Sequence, residues 1–377
     1  MTANSKMRLN LLGAVFAGLV LRLYFVLKFP FDDSGDSPLY KQFAADWLYH
    51  GVFGLWVNGR LVPTNIRVPG YPAFLAAFYA VFGHMALKPV LLGQVAIDLA
   101  TCYLAATLAA SIAPPETQSR AKIAGIWLAA LCPFVANYTA ATLTEVLATF
   151  LTMLALVALF HSGTLAALPQ EQNSRSISKA SFMGGLIAGV GALVRPETPL
   201  LLGAVGIVLL AKCRRPQNWM QLLRSGLWMA LGLVLALLPW TLRNWHTLHE
   251  FQPLTPRYSQ MRDEFVPVGF QAWTRTWMWR FHDVYRVPWK IDEETIDMDS
   301  DVPASATDSP EERQRVADLF EQYNETTTMS QAIDDGFAQI ARERTSRHPL
   351  RTYLLIPALR AWTMWTTPRV EILPYQG

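Results

Sequence analysis

The sequence predicts an all-α membrane protein, a polytopic bundle of seven to eight or more spans with two helices lying in its first outer loop. Three observations predict it. The 377-residue chain is 52% hydrophobic and only 16% charged, a balance too apolar for a soluble protein of this size. Its apolar residues are gathered into runs close to the roughly 20 residues that a spanning helix needs. Many of its 13 Trp and 12 Tyr stand beside Arg or Pro at the ends of those runs, where amphipathic rings anchor at the headgroup level. A formal net charge of +3 is unremarkable, and no nucleic-acid partner is expected. Cys102, Cys132 and Cys213 lie in apolar runs without metal-type spacing, so they read as small buried hydrophobes and no disulfide is expected.

Taken in order, the first run, LLGAVFAGLVLRLYFVLKF, follows a basic start but has no small-x-small cleavage site at its far end, and reads as a retained span at about 9–29. Further spans are expected at about 90–112, 122–136, 139–161, 181–195, 197–211 and 223–242, with a weaker eighth near 351–367. The run YPAFLAAFYAVFG at 71–83 is short enough to be either a span or a surface helix, and charge decides it. If it does not cross, Lys6, Arg8, Arg120, Lys122, Arg175, Lys179, Lys212, Arg214, Arg215 and Arg224 all fall on the cytoplasmic side, as the positive-inside bias requires. Residues 30–89 then form one long outer loop. The organisation expected is a membrane module over 1–243, an extracytoplasmic segment over 244–350, and a further span in 351–377 with more spans expected beyond TPRVEILPYQG. Within the outer segment Ile333, Phe337, Ile340 and Ala341 recur at helical spacing and make one face apolar.

The first outer loop reads FDDSGDSPLYKQFAADWLYHGVFG. Ser37 followed by Pro38 is a helix start, with the hydroxyl as N-cap and proline at the first helical position. Leu39, Phe43 and Trp47, with Tyr40, Ala44 and Leu48 beside them, make an apolar stripe, Lys41, Gln42 and Asp46 face elsewhere, and Gly51 ends the helix. Asp36 thus stands just before a helix N-terminus, where a carboxylate stabilises the first turn by about 0.3–1 kcal/mol. That alone would explain it. Its company suggests more: Arg67 precedes a Pro-Gly-Tyr-Pro turn, and Glu145 in ATLTEVLATF stands at the outer entrance of a span.

Ionisable residues within spans are costly and tend to face a cavity or a partner. Arg22 lies in the first span, with snorkelling to the interface as the simpler account. Gln94 and Asp98 form an i, i+4 polar pair in the second, and Asp98 lacks such reach. Arg195 in LVRPETPLL and Arg243 in PWTLRNWHT sit at outer span ends, the side that topology disfavours for arginine. Two arginines there suggest a held anion, a lipid phosphate being the natural candidate, against interfacial anchoring or pairing with Glu197.

The order of GDSPLY, RVPGYPAF, LTEVL, a VRPE corner and PWTLRNW, placed as they are relative to the membrane, resembles the polytopic C-type glycosyltransferases, and among them the bacterial protein O-mannosyltransferase and lipid A aminoarabinose transferase type. The resemblance runs from about residue 10 to 250. It implies a seven-span module with two juxtamembrane helices. It also implies an inner-membrane enzyme, active on the outer face, that moves a sugar with inversion from a polyprenyl phosphate carrier to a hydroxyl or amide of a lipid, glycan or protein acceptor. Asp36 best fits the family's catalytic aspartate, with Asp33 as second choice, and Glu145 matches its second acidic position. Asp-Ser stands where many relatives have Asp-Glu, and Val68 where relatives often have proline.

The residue types suit that chemistry. A carboxylate accepts the proton of the attacking hydroxyl, and cations stabilise the departing phosphate. Arg67, Lys88, Arg195 and Arg243 are the expected phosphate ligands, and Tyr40, Tyr71, Arg22 and Asp98 the expected pocket residues. No DxD motif is evident, in keeping with a lipid monophosphate leaving group, while a divalent cation at Asp33, Asp36 and Glu145 stays open. The rival reading is a transporter or flippase for lipid-linked sugars, for which repeated halves and broken helices in matching positions would be expected.

Overall fold

The structure is a computed structural model and describes residues 3–30, 35–161, 174–212, 216–261 and 264–367. They form helices α1 (Ala3–Lys28) and α2 (Ser37–His50), a hairpin of β1 (Gly54–Val57) and β2 (Arg60–Pro63), and helices α3 (Gly70–Phe82), α4 (Leu87–Ile112), α5 (Gln118–Ala130), α6 (Pro133–Ala136), α7 (Glu145–His161), α8 (Ser174–Ala192), α9 (Leu200–Lys212) and α10 (Pro216–Leu248). Beyond them lie α11 (Val268–Arg275), α12 (His282–Arg286), α13 (Pro310–Thr326), α14 (Gln331–Arg347) and α15 (Ile356–Thr366). Each of the seven expected core spans has a helix within it. Three of these, Met7–Lys28, Leu87–Ile112 and Trp219–Leu248, are long and apolar enough to cross a membrane, or four if the bent pair 118–130 and 133–140 is one span. The helices at 145–160, 177–192 and 200–211 are apolar but shorter than a full crossing.

The hairpin departs from the all-α expectation. Its strands pair antiparallel with Val57 opposite Arg60. The turn between them is Asn58-Gly59, both at positive φ (49° and 75°), the backbone a two-residue hairpin needs and that Asn-Gly adopts at low cost. The dipeptide was the readable signal. A second departure concerns residues 139–161: proline at 133 bends the helix by 52°, residues 137–140 make a tight 3-10 turn, and α7 starts only at Glu145.

The chain divides into two compact units, one holding residues up to Met261 and the other starting at Arg262. The boundary falls beyond 243 because α10 runs on to Leu248 and Met261 still packs on the cluster of Phe43, Phe53, Ile66 and Trp240. In the first unit, Arg22 does not snorkel. It is fully buried, and pairs with Asp98 at 2.6 Å while donating to the carbonyls of Gly18 (2.9 Å) and Ala130 (2.7 Å) and to Cys102 Sγ (3.1 Å). A buried ion pair persists only when its remaining donors are also satisfied, and here that requirement ties α1 to α4 and α5.

In the second unit α11, α13 and α14 enclose a core of Phe270, Trp273, Trp277, Phe320, Tyr323 and Phe337. Ile333, Phe337, Ile340 and Ala341 are all buried in it. Ser309 and Ser330 cap α13 and α14, and Asp334 reaches from α14 to the start of α11, accepting from the amides of Gly269 (2.9 Å) and Phe270 (2.8 Å). The segment expected as an eighth span is a π turn at Arg351–Leu355 followed by the eleven residues of α15, with Arg360 donating to the Met278 carbonyl and Thr363 to that of Trp279.

Candidate active site

Five separate stretches of the first unit meet around one cleft of about 450 Å³: the start of α2, the segment after the hairpin, the start of α7, the turn after α8 and, beyond α10, Thr255 and Ser259. Asp36, Tyr40, Arg67, Glu145 and Arg195 line it, with Glu197 beside them. Arg67 Nη2 pairs with Asp36 Oδ1 at 3.1 Å, and Arg195 joins Glu145 at 3.0 Å and Glu197 at 2.9 Å. These side chains are 25–56% exposed, so the charges look into an open space instead of being sealed in the core.

Local interactions explain the meeting. Gly70 donates its amide to the Leu193 carbonyl at 2.6 Å, and any Cβ at that glycine would strike the same carbonyl. This approach holds the segment carrying Arg67 against the turn carrying Arg195. Tyr71 donates to Gln94 Oε1 at 2.7 Å, and Gln94 Nε2 donates to the carbonyls of Ala141 (2.8 Å) and Thr139 (3.2 Å), fixing the stretch that ends at Glu145. Ser37 does not cap α2. Its hydroxyl donates to the Thr142 carbonyl at 3.0 Å, while Asp36 takes the cap position without a side-chain bond to the helix. The carboxylate of Asp36 is spared for Arg67 by a different arrangement from the one the Ser-Pro pair suggested.

Tyr40 reports the field of the cleft. Burial, and then the charge of Asp36, push its phenol up to about 12, with Glu145 adding to the rise and Arg67 and Arg195 opposing it. Burial draws the Arg195 guanidinium down, but Glu145 and Glu197 more than offset this and leave it above its ordinary value. Formally, three carboxylates face two guanidiniums. An incoming anion must therefore take an arginine from a carboxylate rather than find it unengaged.

Several expected residues lie elsewhere. Arg243 is not among the cleft's lining: it donates to the carbonyls of Phe53 (2.7 Å) and Thr64 (2.8 Å), and its guanidinium lies 4.9 Å from the Trp240 ring centroid. It clamps the base of the hairpin from which Arg67 emerges. Lys88 is exposed at the start of α4 and is not among the cleft's residues. Arg22 and Asp98 form the buried tie between helices, and Tyr71 stands behind the cleft with its ring 5.3 Å from that of Tyr40. Gln94, expected only as a partner of Asp98, is the bracket for the Glu145 segment. Asp33 lies outside the described residues. Among the described residues no group of three or more His, Cys, Asp or Glu is placed to hold a metal, and Asp36 and Glu145 each face an arginine.

Residues 63–241, a little under half of the chain, match the model of the Alg9-like mannosyltransferase family. On that match the chain is a glycosyltransferase, and with its apolar helices it is a membrane glycosyltransferase. Arg67, Glu145 and Arg195 fall inside the matched stretch, and Asp36 and Tyr40 precede it. No curated protein and no solved structure matches the chain.

Proposed function

We propose that the chain moves a sugar, mannose on the family match, from a polyprenyl phosphate carrier to a hydroxyl or amide acceptor at the outer face of the membrane, with Asp36 as general base. The distribution of Lys and Arg, which makes residues 30–89 one outer loop, supports that face. The observation that carries the reading is the convergence of Asp36, Arg67, Glu145 and Arg195 on one open cleft from four distant parts of the sequence. Asp36 takes the acceptor proton as the sugar's anomeric bond to phosphate breaks, and the configuration inverts because attack comes from the opposite side. Arg67 and Arg195 carry the charge that builds on the departing lipid phosphate, a guanidinium being suited to two phosphate oxygens at once. Glu145 orients Arg195. The order GDSPLY, RVPGYPAF, LTEVL favours the protein O-mannosyltransferase type within this class.

The test is transfer by the purified chain in proteoliposomes given polyprenyl-phosphate mannose. Product is expected from the wild type, and Asp36→Asn is expected to bind donor and to lose transfer by orders of magnitude. Full turnover by that variant would remove Asp36 as the base. Movement of intact donor across the bilayer, without transfer, would favour a flippase.

A further inference from the structure

A second cavity lies on the opposite side of α2. Residues of a helix advance by about 100° each, so Asp36 and Tyr40 share one side, and Gln42, Asp46 and Tyr49 lie on another. The groove has a volume of about 550 Å³ and is bounded by that second side together with Tyr79, His84 and Met85 from the end of α3 and the turn after it. This lies within the range that holds a small organic ligand.

Its chemistry is specific. Asp46, which helical spacing sets off the apolar stripe of α2, is 95% buried. Its Oδ1 accepts from Trp56 Nε1 at 3.1 Å and faces His50 Nδ1 at 3.3 Å, while its Oδ2 has no partner. A buried carboxylate oxygen left unpaired is costly, and a turn of the carboxylate toward the groove that Asp46 lines lets a ligand hydroxyl remove the cost. Gln42 adds an amide that both donates and accepts. Tyr49 and His84, both exposed, line the groove with their ring centroids 5.1 Å apart and their planes tilted 54° to one another. A carboxylate and an amide beside flat rings match a pyranose, whose adjacent hydroxyls need paired donors and acceptors and whose C–H face needs an apolar plane.

We infer that this groove is a saccharide-binding site, formed by Gln42, Asp46, Tyr49, His50 and His84, separate from the candidate active site. The two cavities flank the first turn of α2 on opposite sides, where Asp36 lines one and Pro38, two residues on, lines the other. A glycan that reacts at Asp36 and passes around this turn would place a further sugar in the groove. The site is therefore an acceptor subsite, and this role, unlike the saccharide binding itself, rests on the proposed function.

The experiment uses the full chain in detergent, with methyl α-mannopyranoside and an α-linked mannobiose as probes and saturation-transfer NMR as the readout. Saturable binding of both is expected in the wild type and in Asp36→Asn. Tyr49→Ala and His84→Ala change exposed side chains and should weaken it at least tenfold; Gln42→Ala, which leaves the Asp46–Trp56 bond in place, gives a further check. Absence of saturable binding overturns the inference. So does binding that survives all three groove variants, or that phosphatidylglycerol vesicles displace, which would assign the groove to a lipid headgroup. If the groove binds sugar and Asp36→Asn still transfers, the base assignment fails and the groove stands. If Asp36→Asn loses transfer and the groove variants keep an unchanged KM for a disaccharide acceptor, the acceptor role fails alone.

Discussion

The two units each contain a cluster of arginines and carboxylates, and the clusters differ in how their carboxylates are held. In the second unit Arg344 is wholly buried: it pairs with Glu312, lies 3.2 Å from Asp308, and donates to Thr276 Oγ1 at 2.8 Å and to the Ser305 carbonyl at 3.1 Å. Arg347 also pairs with Glu312, and Arg351 grips both oxygens of Asp308 at 2.7 and 2.8 Å. Five charged groups are thereby consumed in joining α13, α14 and the turns on either side. In the first unit the cleft's arginines hold each carboxylate through a single bond; they are no more exposed than Arg347 and Arg351, but their carboxylates are 30–56% exposed, against 1% for Glu312 and 15% for Asp308. Ion pairing alone therefore does not identify a functional site. What does so is a pair left open to an outside ligand beside empty space.

That contrast is tested most sharply by removing one charged group from each cluster. Asp36→Asn should lower transfer by about 10²–10⁴, the usual worth of a positioned base, with an unchanged melting temperature. A steady-state assay alongside a thermal melt checks it, and a large fall in melting temperature would place Asp36 with the structural charges instead. In the second unit, Arg344→Met should destabilise by about 3–5 kcal/mol, because Glu312 is left buried without its partner. Thermal unfolding followed by the fluorescence of Trp273 and Trp277 reads this. An unchanged transition would mean that Arg347 suffices for Glu312.

Donor affinity sharpens the comparison further. Arg195→Ala and Arg67→Ala should each weaken donor binding about tenfold or more, the loss of a charge-assisted contact, and leave stability within about 0.5 kcal/mol, as for exposed pairs. Arg243→Ala should behave differently, lowering stability through the hairpin it clamps. Equal effects of all three on donor affinity would return Arg243 to the phosphate site.

Much of this was legible before any coordinates, and what was not has identifiable causes. Helix positions followed from runs of apolar residues, a signal spread over many positions and hard to miss. The cleft residues drew notice for separate local reasons: Asp36 stands just before an expected helix start, Arg67 before a Pro-Gly-Tyr-Pro turn, and Glu145 and Arg195 at the ends of expected spans. Arg243 also stands at the end of an expected span and has another task, since the sequence does not say that two backbone carbonyls of the hairpin lie within its reach. Gln94 and Gly70 act through long-range backbone contacts with residues 141 and 193, which no local pattern carries. The burial of Asp46 was not legible because helical spacing sees only its own helix, whereas its cover comes from Trp56 on the hairpin. Asn58-Gly59 was a readable hairpin signal overshadowed by its apolar surroundings.

Acid should reach the second unit's cluster in a predictable way. The bond from Arg351 holds the Asp308 carboxyl below its usual range, ahead of burial, which opposes it, and of Arg344, which assists. A depressed folded value means stability that is complete above the unfolded carboxylate value of about 4 and is lost as the pH falls through the lower folded one. The tryptophan-monitored transition should weaken in that window, and Asp308→Asn should remove part of the dependence. No difference between the two acid profiles would leave Asp308 outside the linkage.

The smallest effect expected is at Tyr40, and its sign is opposite. Burial and then Asp36 raise the phenol from 10.0 to about 12. A raised folded value contributes stability that is complete below the unfolded value and disappears as the pH climbs from about 10 through about 12. Over the range in which transfer is assayed, the phenol therefore stays protonated and can only donate or accept a hydrogen bond. Tyr40→Phe should cost transfer a few fold and leave the shape of the pH–rate profile unchanged below pH 10, because no ionisation is lost with the hydroxyl. At alkaline pH the variant should lack the part of the unfolding that the wild type shows between about 10 and 12, read by thermal melts at stepped pH. A profile that shifts below pH 10 would mean that Tyr40 titrates there, and the cleft would then hold a second base beside Asp36.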